Sequence, residues 1–413
     1  MIWRPFTQEK NTPPPLKAVR GGGIYIYTDD GEKYADMISS WWVSIHGHAK
    51  KEIAEAISQQ AQTLEQVIFT TFSHKPAEDL VNNLKTVLPN NLNRFFFSDN
   101  GSTAVEVALK MAYQFFKNNG ESQRKVYLQL EGAYHGDTYG SMSVSGKNSM
   151  YHFNFADFFF ETISIEVPEV HEDIENVEQK EDQIIKDLER LLQQRGEEIC
   201  ALIVEPLLQG ARGMIVYRPE FLERLVRTVR KFNILVIFDE VFTGFYRTGR
   251  FFAMDYINDD TKPDIVCLSK ALTGGFLPLS LTVATDSIYA AFLSDDPNKA
   301  LIHGHSFTGN PIACAAANKS FEILRRPETV KRIKEIENFH RSAHLEGVQN
   351  RRTLGVMSAF DMPSPQSAKD LVNAMMCRGV FLRPLGRTIY LLPPYCTTLD
   401  ELDWVYRELQ TCL

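Results

Sequence analysis

A chain of 413 residues with 44% apolar side chains can bury a large core, and this length fits two lobes better than one small domain. Its 52 acidic and 44 basic residues leave a net charge of −8, spread without a basic stripe, which argues against nucleic acid or an anionic membrane as partner. No uncharged apolar run approaches the ~18 residues of a membrane span, and the start, Met1 to Lys10, is broken by Pro5 and lacks the apolar stretch of a secretory signal. Cys200, Cys267, Cys314, Cys377, Cys396 and Cys412 contain no Cys-x-x-Cys pair, so a reduced, cytoplasmic compartment without a zinc site is expected.

In chain order, the arm Pro13-Pro14-Pro15 leads to Gly21-Gly22-Gly23, then Ile24 to Tyr27, Asp29-Asp30-Gly31 and Lys33 to Asp36. Two short apolar stretches flanking Asp-Gly predict a hairpin. From about residue 50, helical patterns alternate with apolar strands at Arg94–Ser98, Val126–Leu130, Cys200–Glu205 and Ile234–Asp239. Strands that are apolar throughout belong in a sheet covered on both faces. Phe221, Leu222, Leu225, Val226 and Val229 recur at helical spacing and predict a crossover helix. The acidic stretch 172–182 precedes Ile184, Ile185, Leu188, Leu191 and Leu192, which predict an amphipathic surface helix with a solvated charged face. A helix over 311–324 leads to one C-terminal strand set, Gly379–Arg383 and Thr388–Leu392. The expected division is 1–48 as an arm and hairpin of the small domain, 49–310 as the large domain and 311–413 as the rest of the small domain.

Lys270 follows the apolar run Ile265 to Leu268, and Asp239 ends the run that begins at Ile234. An amine at the end of a buried strand loses hydration, becomes neutral more readily and can form a Schiff base with an aldehyde. A carboxylate at a neighbouring strand end can hold the proton of a pyridine nitrogen. Together they point to pyridoxal 5′-phosphate. Gly101-Ser102-Thr103 opens a helical run after the Phe-rich strand and offers backbone amides to a phosphate. Tyr134, in the loop Tyr134-His135-Gly136-Asp137, can cover the ring face. Glu205 ends another buried strand and could neutralise a substrate ammonium or hold a pocket arginine. His135 lacks a second ligand at helical spacing, so no metal is expected.

Asp239-Glu-Val-Phe-Thr-Gly244-Phe-Tyr-Arg247-Thr-Gly249, Asp264 and Lys270-Ala-Leu-Thr-Gly-Gly275 resemble the signature of class III (subgroup II) pyridoxal-phosphate aminotransferases, and the resemblance runs from about residue 3 to residue 395. It implies an α/β chain of transferase fold type I, with a large domain on a mainly parallel seven-stranded sheet and a smaller α/β domain from both termini. It implies Lys270 as the Schiff-base lysine, Asp239 at the ring nitrogen, Gly101 and Ser102 at the phosphate, and Tyr134 on the ring. Gly304 and Ser306 are implied to reach the site of a neighbouring subunit, and hence a homodimer with shared active sites.

Within that family, Ser39-Ser40-Trp41-Trp42, Arg383-Pro-Leu-Gly386 and Tyr390 to Tyr395 look like the branch whose acceptor is 8-amino-7-oxononanoate, made into 7,8-diaminononanoate for biotin. Trp41, Trp42 and Tyr134 are then expected to line the apolar chain and Arg383 to clamp its carboxylate, with Phe6, Tyr390 and Glu205 as further substrate contacts. Phe6 stands where the adenosylmethionine-using members have Tyr, and His303-Gly304-His305-Ser306 replaces their His-Gly-Pro-Thr; both look like the lysine-using branch, whereas the two tryptophans do not. Adenosylmethionine is the expected donor and lysine the alternative. An ω-aminotransferase of other specificity, an aminomutase and a silent dimeric scaffold are the rival readings.

Overall fold

The computed structural model describes residues 2–146, 153–172 and 174–413, so Asp173 of the acidic stretch lies outside it. A seven-stranded sheet runs in the spatial order Leu92–Ser98, Ser280–Thr285, Ile265–Leu268, Leu235–Asp239, Ile199–Val204, Val126–Leu130, Thr162–Ile165. Ser280–Thr285 is antiparallel to both its neighbours, and all other pairs are parallel. Every residue of Ile199–Val204 is buried, because helices cover both sheet faces. The helix Pro219–Arg230 contributes Phe221, Leu222, Leu225, Val226 and Val229, all fully buried; each such side chain contributes roughly 1.5–3 kcal/mol.

The register decides where the chemistry collects. Val204 pairs with Phe238, and Asp239 pairs with Cys267. Glu205, Asp239 and Lys270 therefore leave the sheet along one rim, the carboxyl ends of three adjacent parallel strands, where open α/β sheets place their ligands.

The hairpin Tyr25–Thr28 with Lys33–Asp36 forms as its Asp-Gly turn predicts, and Ala18–Gly22 adds a third antiparallel strand. The C-terminal strands are not one set. Val380–Phe381 pairs in parallel with Lys33–Asp36, tying the two ends of the chain into one sheet, whereas Thr388–Leu391 joins Gln349–Leu354 and Met357–Asp361. Pro384 and the tight Leu385–Thr388 bridge turn the chain between them.

The amphipathic helix spans Val177–Arg195. Its charged face is not wholly solvated: Glu181 is fully buried and takes Arg218 Nε at 2.9 Å and Nη2 at 2.8 Å. A carboxylate without water needs such a paired donor. No helix among the described residues is long and apolar enough to cross a membrane.

Candidate active site

A cavity of about 450 Å³ opens at the strand rim. Trp41 and Trp42, Gly101 and Ser102, Tyr134, Glu205, Asp239 and Lys270 all border it. Lys270 stands in a left-handed backbone conformation, φ +46°, an uncommon state for a side-chain-bearing residue and one that surrounding packing must hold. Gly275, on the same cavity wall, has φ +85°, and a Cβ there would stand 3.0 Å from the backbone of Ser44. The Lys270 Nζ lies 4.6 Å from the ring centre of Trp42 and 5.5 Å from that of Phe242. Among the described residues it has neither a hydrogen bond nor an ion pair. Burial lowers its amine from the usual lysine range to about 8, against the opposing pull of Asp239 and Glu205.

Asp239 is held before any ligand arrives. Its Oδ1 accepts from Val241 N at 3.0 Å, and its Oδ2 lies 2.7 Å from His135 Nδ1. His135 is buried, and its Nε2 has no hydrogen-bond partner among the described residues. This histidine was considered in the sequence only as a metal ligand and dismissed; its contact with Asp239, a residue 104 positions away, has no local signal.

Tyr134 borders the cavity, with its OH donating to Asp137 Oδ2 at 2.7 Å and its N–H to Glu205 Oε1 at 3.1 Å. Glu205 Oε2 accepts from Gly210 N at 3.0 Å. Burial raises the Glu205 carboxyl to about 7, with His135 lowering it and Asp239 raising it further. Glu205 borders the cavity, as its expected role as a substrate or arginine contact requires, and these bonds also give it a second task. Each oxygen accepts one backbone amide, so Glu205 anchors the Tyr134 loop and keeps further acceptor capacity, while the nearby Arg212 turns to Glu131 O and Glu169.

Gly101–Asn118 begins at the cavity, capped by Asn100 Oδ1 on Thr103 N. The amides of Gly101 and Ser102 remain without partners among the described residues, the arrangement that binds phosphate. The loop from Tyr134 closes on this end through Asp137 N, which donates to Ser102 Oγ at 3.1 Å. Gly136 makes the approach possible: it has φ +127°, and a Cβ would fall 2.1 Å from that hydroxyl.

The two tryptophans differ. Trp42 is buried, packs on Phe242 at 4.4 Å between ring centres and donates from Nε1 to Tyr390 OH at 3.0 Å. Trp41 is 42% exposed, with Phe6 at 5.6 Å and the Arg383 guanidinium 4.2 Å over its ring. Arg383 has no hydrogen bond or ion pair among the described residues. Tyr390 is corrected as a direct substrate contact: it is 2% exposed and lies behind Trp42, outside the cavity wall. Arg247, noted in the sequence without a role, is fully buried and donates to Trp42 O at 3.1 Å and Pro393 O at 3.4 Å. Gly304 and Ser306 are exposed and do not border this chain's cavity.

These groups fit pyridoxal phosphate: a half-buried amine at the cavity wall with no hydrogen bond or ion pair among the described residues, a carboxylate already oriented by two contacts, and amides at a helix start with no partner among those residues. A larger cavity of about 740 Å³, walled by residues such as Phe69, Phe95, Phe97, Tyr289 and Phe292, has no such set.

The profile of class-III aminotransferases matches residues 6–413. Over 427 aligned residues, covering 100% of this chain and 98% of the other, the sequence is 45% identical to the adenosylmethionine-8-amino-7-oxononanoate aminotransferase of Synechococcus elongatus. The crystal structure of the enzyme of that name from Methanocaldococcus jannaschii superposes with a TM-score of 0.91 at 32% identity, covering 100% of this chain and 96% of that one. An amine transaminase from an uncultivated Pseudomonas species, solved with pyridoxal phosphate bound, superposes at 0.89 with 28% identity, covering 100% and 98%. The chain belongs to the class-III aminotransferases and is a pyridoxal-phosphate enzyme.

Proposed function

We propose that the protein transfers an amino group to 8-amino-7-oxononanoate, giving 7,8-diaminononanoate, with adenosylmethionine as donor. The observation that carries the acceptor is Arg383, a cation with no carboxylate of its own among the described residues, stacked on the cavity-lining Trp41, whose neighbour Trp42 faces Lys270 Nζ; Arg383 itself stands outside the cavity wall. A long apolar chain with a terminal carboxylate matches that combination of aromatic surface and charge. The names borne by the Synechococcus and Methanocaldococcus proteins agree with this acceptor and this donor.

Pyridoxal phosphate, when bound, supplies an aldehyde carbon that carries the amino group between substrates and a ring that draws electrons from the substrate carbon. Lys270 moves the proton. With its amine near 8, a useful fraction of Nζ is neutral at physiological pH and can take a proton from the substrate carbon and return it. Asp239, braced by Val241 N and His135, serves the ring nitrogen. Gly101 and Ser102 hold the phosphate, and Tyr134 covers the ring. Trp42 and Phe242 keep water from Nζ, while Trp41, with Phe6 behind it, guides the acceptor chain.

Gly304 and Ser306 act across a homodimer in this reading. Their exposure supports it, as do the exposed apolar neighbours Ile302 and Phe307 on the same loop. The compartment is cytoplasmic, in keeping with six unpaired thiols.

The donor is tested by mixing holoenzyme with adenosylmethionine or with lysine, without acceptor, and following the absorbance of the bound cofactor. Conversion to the amine form by adenosylmethionine is expected. Conversion by lysine alone would reassign the donor and leave the acceptor standing.

A further inference from the structure

Three residues that carry side chains lie in the left-handed half of backbone space within four positions: Ser39 at φ +52°, Ser40 at φ +63° and Trp42 at φ +67°. Ser40, with ψ −100°, falls outside every region favoured by a residue with a Cβ. Such strain persists only where neighbouring groups over-determine it. Here the principal group is Asp36, whose carboxylate has no exposed surface. Its Oδ2 accepts from Ser40 N at 2.6 Å and lies 2.9 Å from His48 Nε2, and its Oδ1 accepts from Ile38 N at 3.2 Å. Ser39 Oγ adds a bond to Leu392 O at 2.7 Å. Asp36 does not border the cavity, yet it grips the turn that presents both tryptophans to it.

Building on the acceptor reading above, we infer that Asp36 is a positioning residue for acceptor recognition: it holds Ser40 in its strained conformation, and so sets Trp41 under Arg383 and Trp42 over Lys270. The bond from Ser40 N to an ionised oxygen is the stronger, charge-assisted kind. An amide in place of the carboxylate offers one acceptor oxygen instead of two and no charge. The turn then relaxes toward ordinary backbone angles and the aromatic wall moves with it.

The test uses holoenzyme of wild type, Asp36→Asn, Ser40→Gly and the double variant. Two quantities are read: the dissociation constant of 8-amino-7-oxononanoate by equilibrium dialysis, and the tryptophan emission maximum. Asp36→Asn is expected to weaken the acceptor about tenfold and to shift emission to the red, with cofactor retention unchanged. Ser40→Gly alone stays close to wild type. In the double variant glycine adopts φ +63° without a Cβ to strain, and binding recovers toward wild type, a rescue that a general loss of packing would not give. An unchanged dissociation constant in Asp36→Asn, or a double variant as weak as the single one, overturns the inference. Should Asp36→Asn not fold, His48→Ala removes one arm of the same carboxylate, and a value equal to wild type overturns it likewise. If wild type itself fails to bind the acceptor, the functional reading falls. The emission then decides alone: a red shift reversed by Ser40→Gly upholds Asp36 as the clamp, and its absence removes it.

Discussion

Lys270→Met should stabilise the cofactor-free protein at neutral pH and lose that advantage in alkali. Methionine is close to lysine in length; it gives up the Nζ contact with the Trp42 ring and removes a charge that has no hydrogen bond or ion pair among the described residues. The Lys270 amine falls from 10.5 to about 8 on burial, and at about 1.36 kcal/mol per pH unit this corresponds to roughly 3 kcal/mol of cost for burying the charged form. Below pH 8 the folded and unfolded chains both carry the proton, so the cost is constant and full. Between pH 8 and 10.5 the unfolded chain keeps its proton while the folded chain has shed it, and wild-type stability rises with pH. Above 10.5 both are neutral and the cost is gone. Urea midpoints of the two proteins, at one protein concentration and at pH 7, 9 and 10.5, should therefore differ most at pH 7 and converge by about 3 kcal/mol across the series. Any gain from the methionine thioether itself would persist at all three values. A difference that does not change with pH would refute the argument that lost hydration at the cavity wall holds the Lys270 amine down.

Asp239→Asn should retain the fold and slow both half-reactions about tenfold or more, since a neutral amide gives up about 1–1.5 kcal/mol of a charge-assisted hydrogen bond; an unchanged single-turnover rate would exclude it as the ring-nitrogen group. Arg383→Ala should weaken 8-amino-7-oxononanoate by about 1.5–3 kcal/mol because its carboxylate loses a charged partner; equal affinity would hand that role to another cation such as Arg387. Tyr390→Phe should cost about 1–3 kcal/mol of stability by stranding the buried Trp42 Nε1–H; an unaltered urea midpoint would show that this bond carries no weight.

The strand rim was legible because its signals are local. Apolar runs ending in Glu205, Asp239 and Lys270 state both burial and the place where burial stops, and the helical spacing over Pro219–Arg230 marks the parallel crossover between the first two. Gly101-Ser102 was legible for the same reason, a small-residue turn before a helix. What escaped depends on contacts between distant segments. His135 meets Asp239 across 104 positions, Trp42 meets Tyr390 across 348, and Arg247 reaches Trp42 across 205. Tyr390 was placed in the pocket because aromatic residues near a site line it or support it with equal ease in sequence terms. Glu205 was placed at the cavity by its strand end, but a strand-end carboxylate does not reveal that it also binds the amides of Tyr134 and Gly210. The Gln349–Asp361 hairpin was missed: arginines interrupt its alternation, and two of them, Arg351 and Arg352, are buried by bonds to the distant His340 O, Gly213 O and Met214 O.

The central claim is tested most directly by incubating the purified protein with pyridoxal phosphate, adenosylmethionine and 8-amino-7-oxononanoate, and measuring 7,8-diaminononanoate by mass spectrometry beside a Lys270→Ala control. The account predicts diamine from wild type and none above background from the variant. Failure to form the diamine with either adenosylmethionine or lysine, by a protein that aminates other ketones through Lys270, would contradict it.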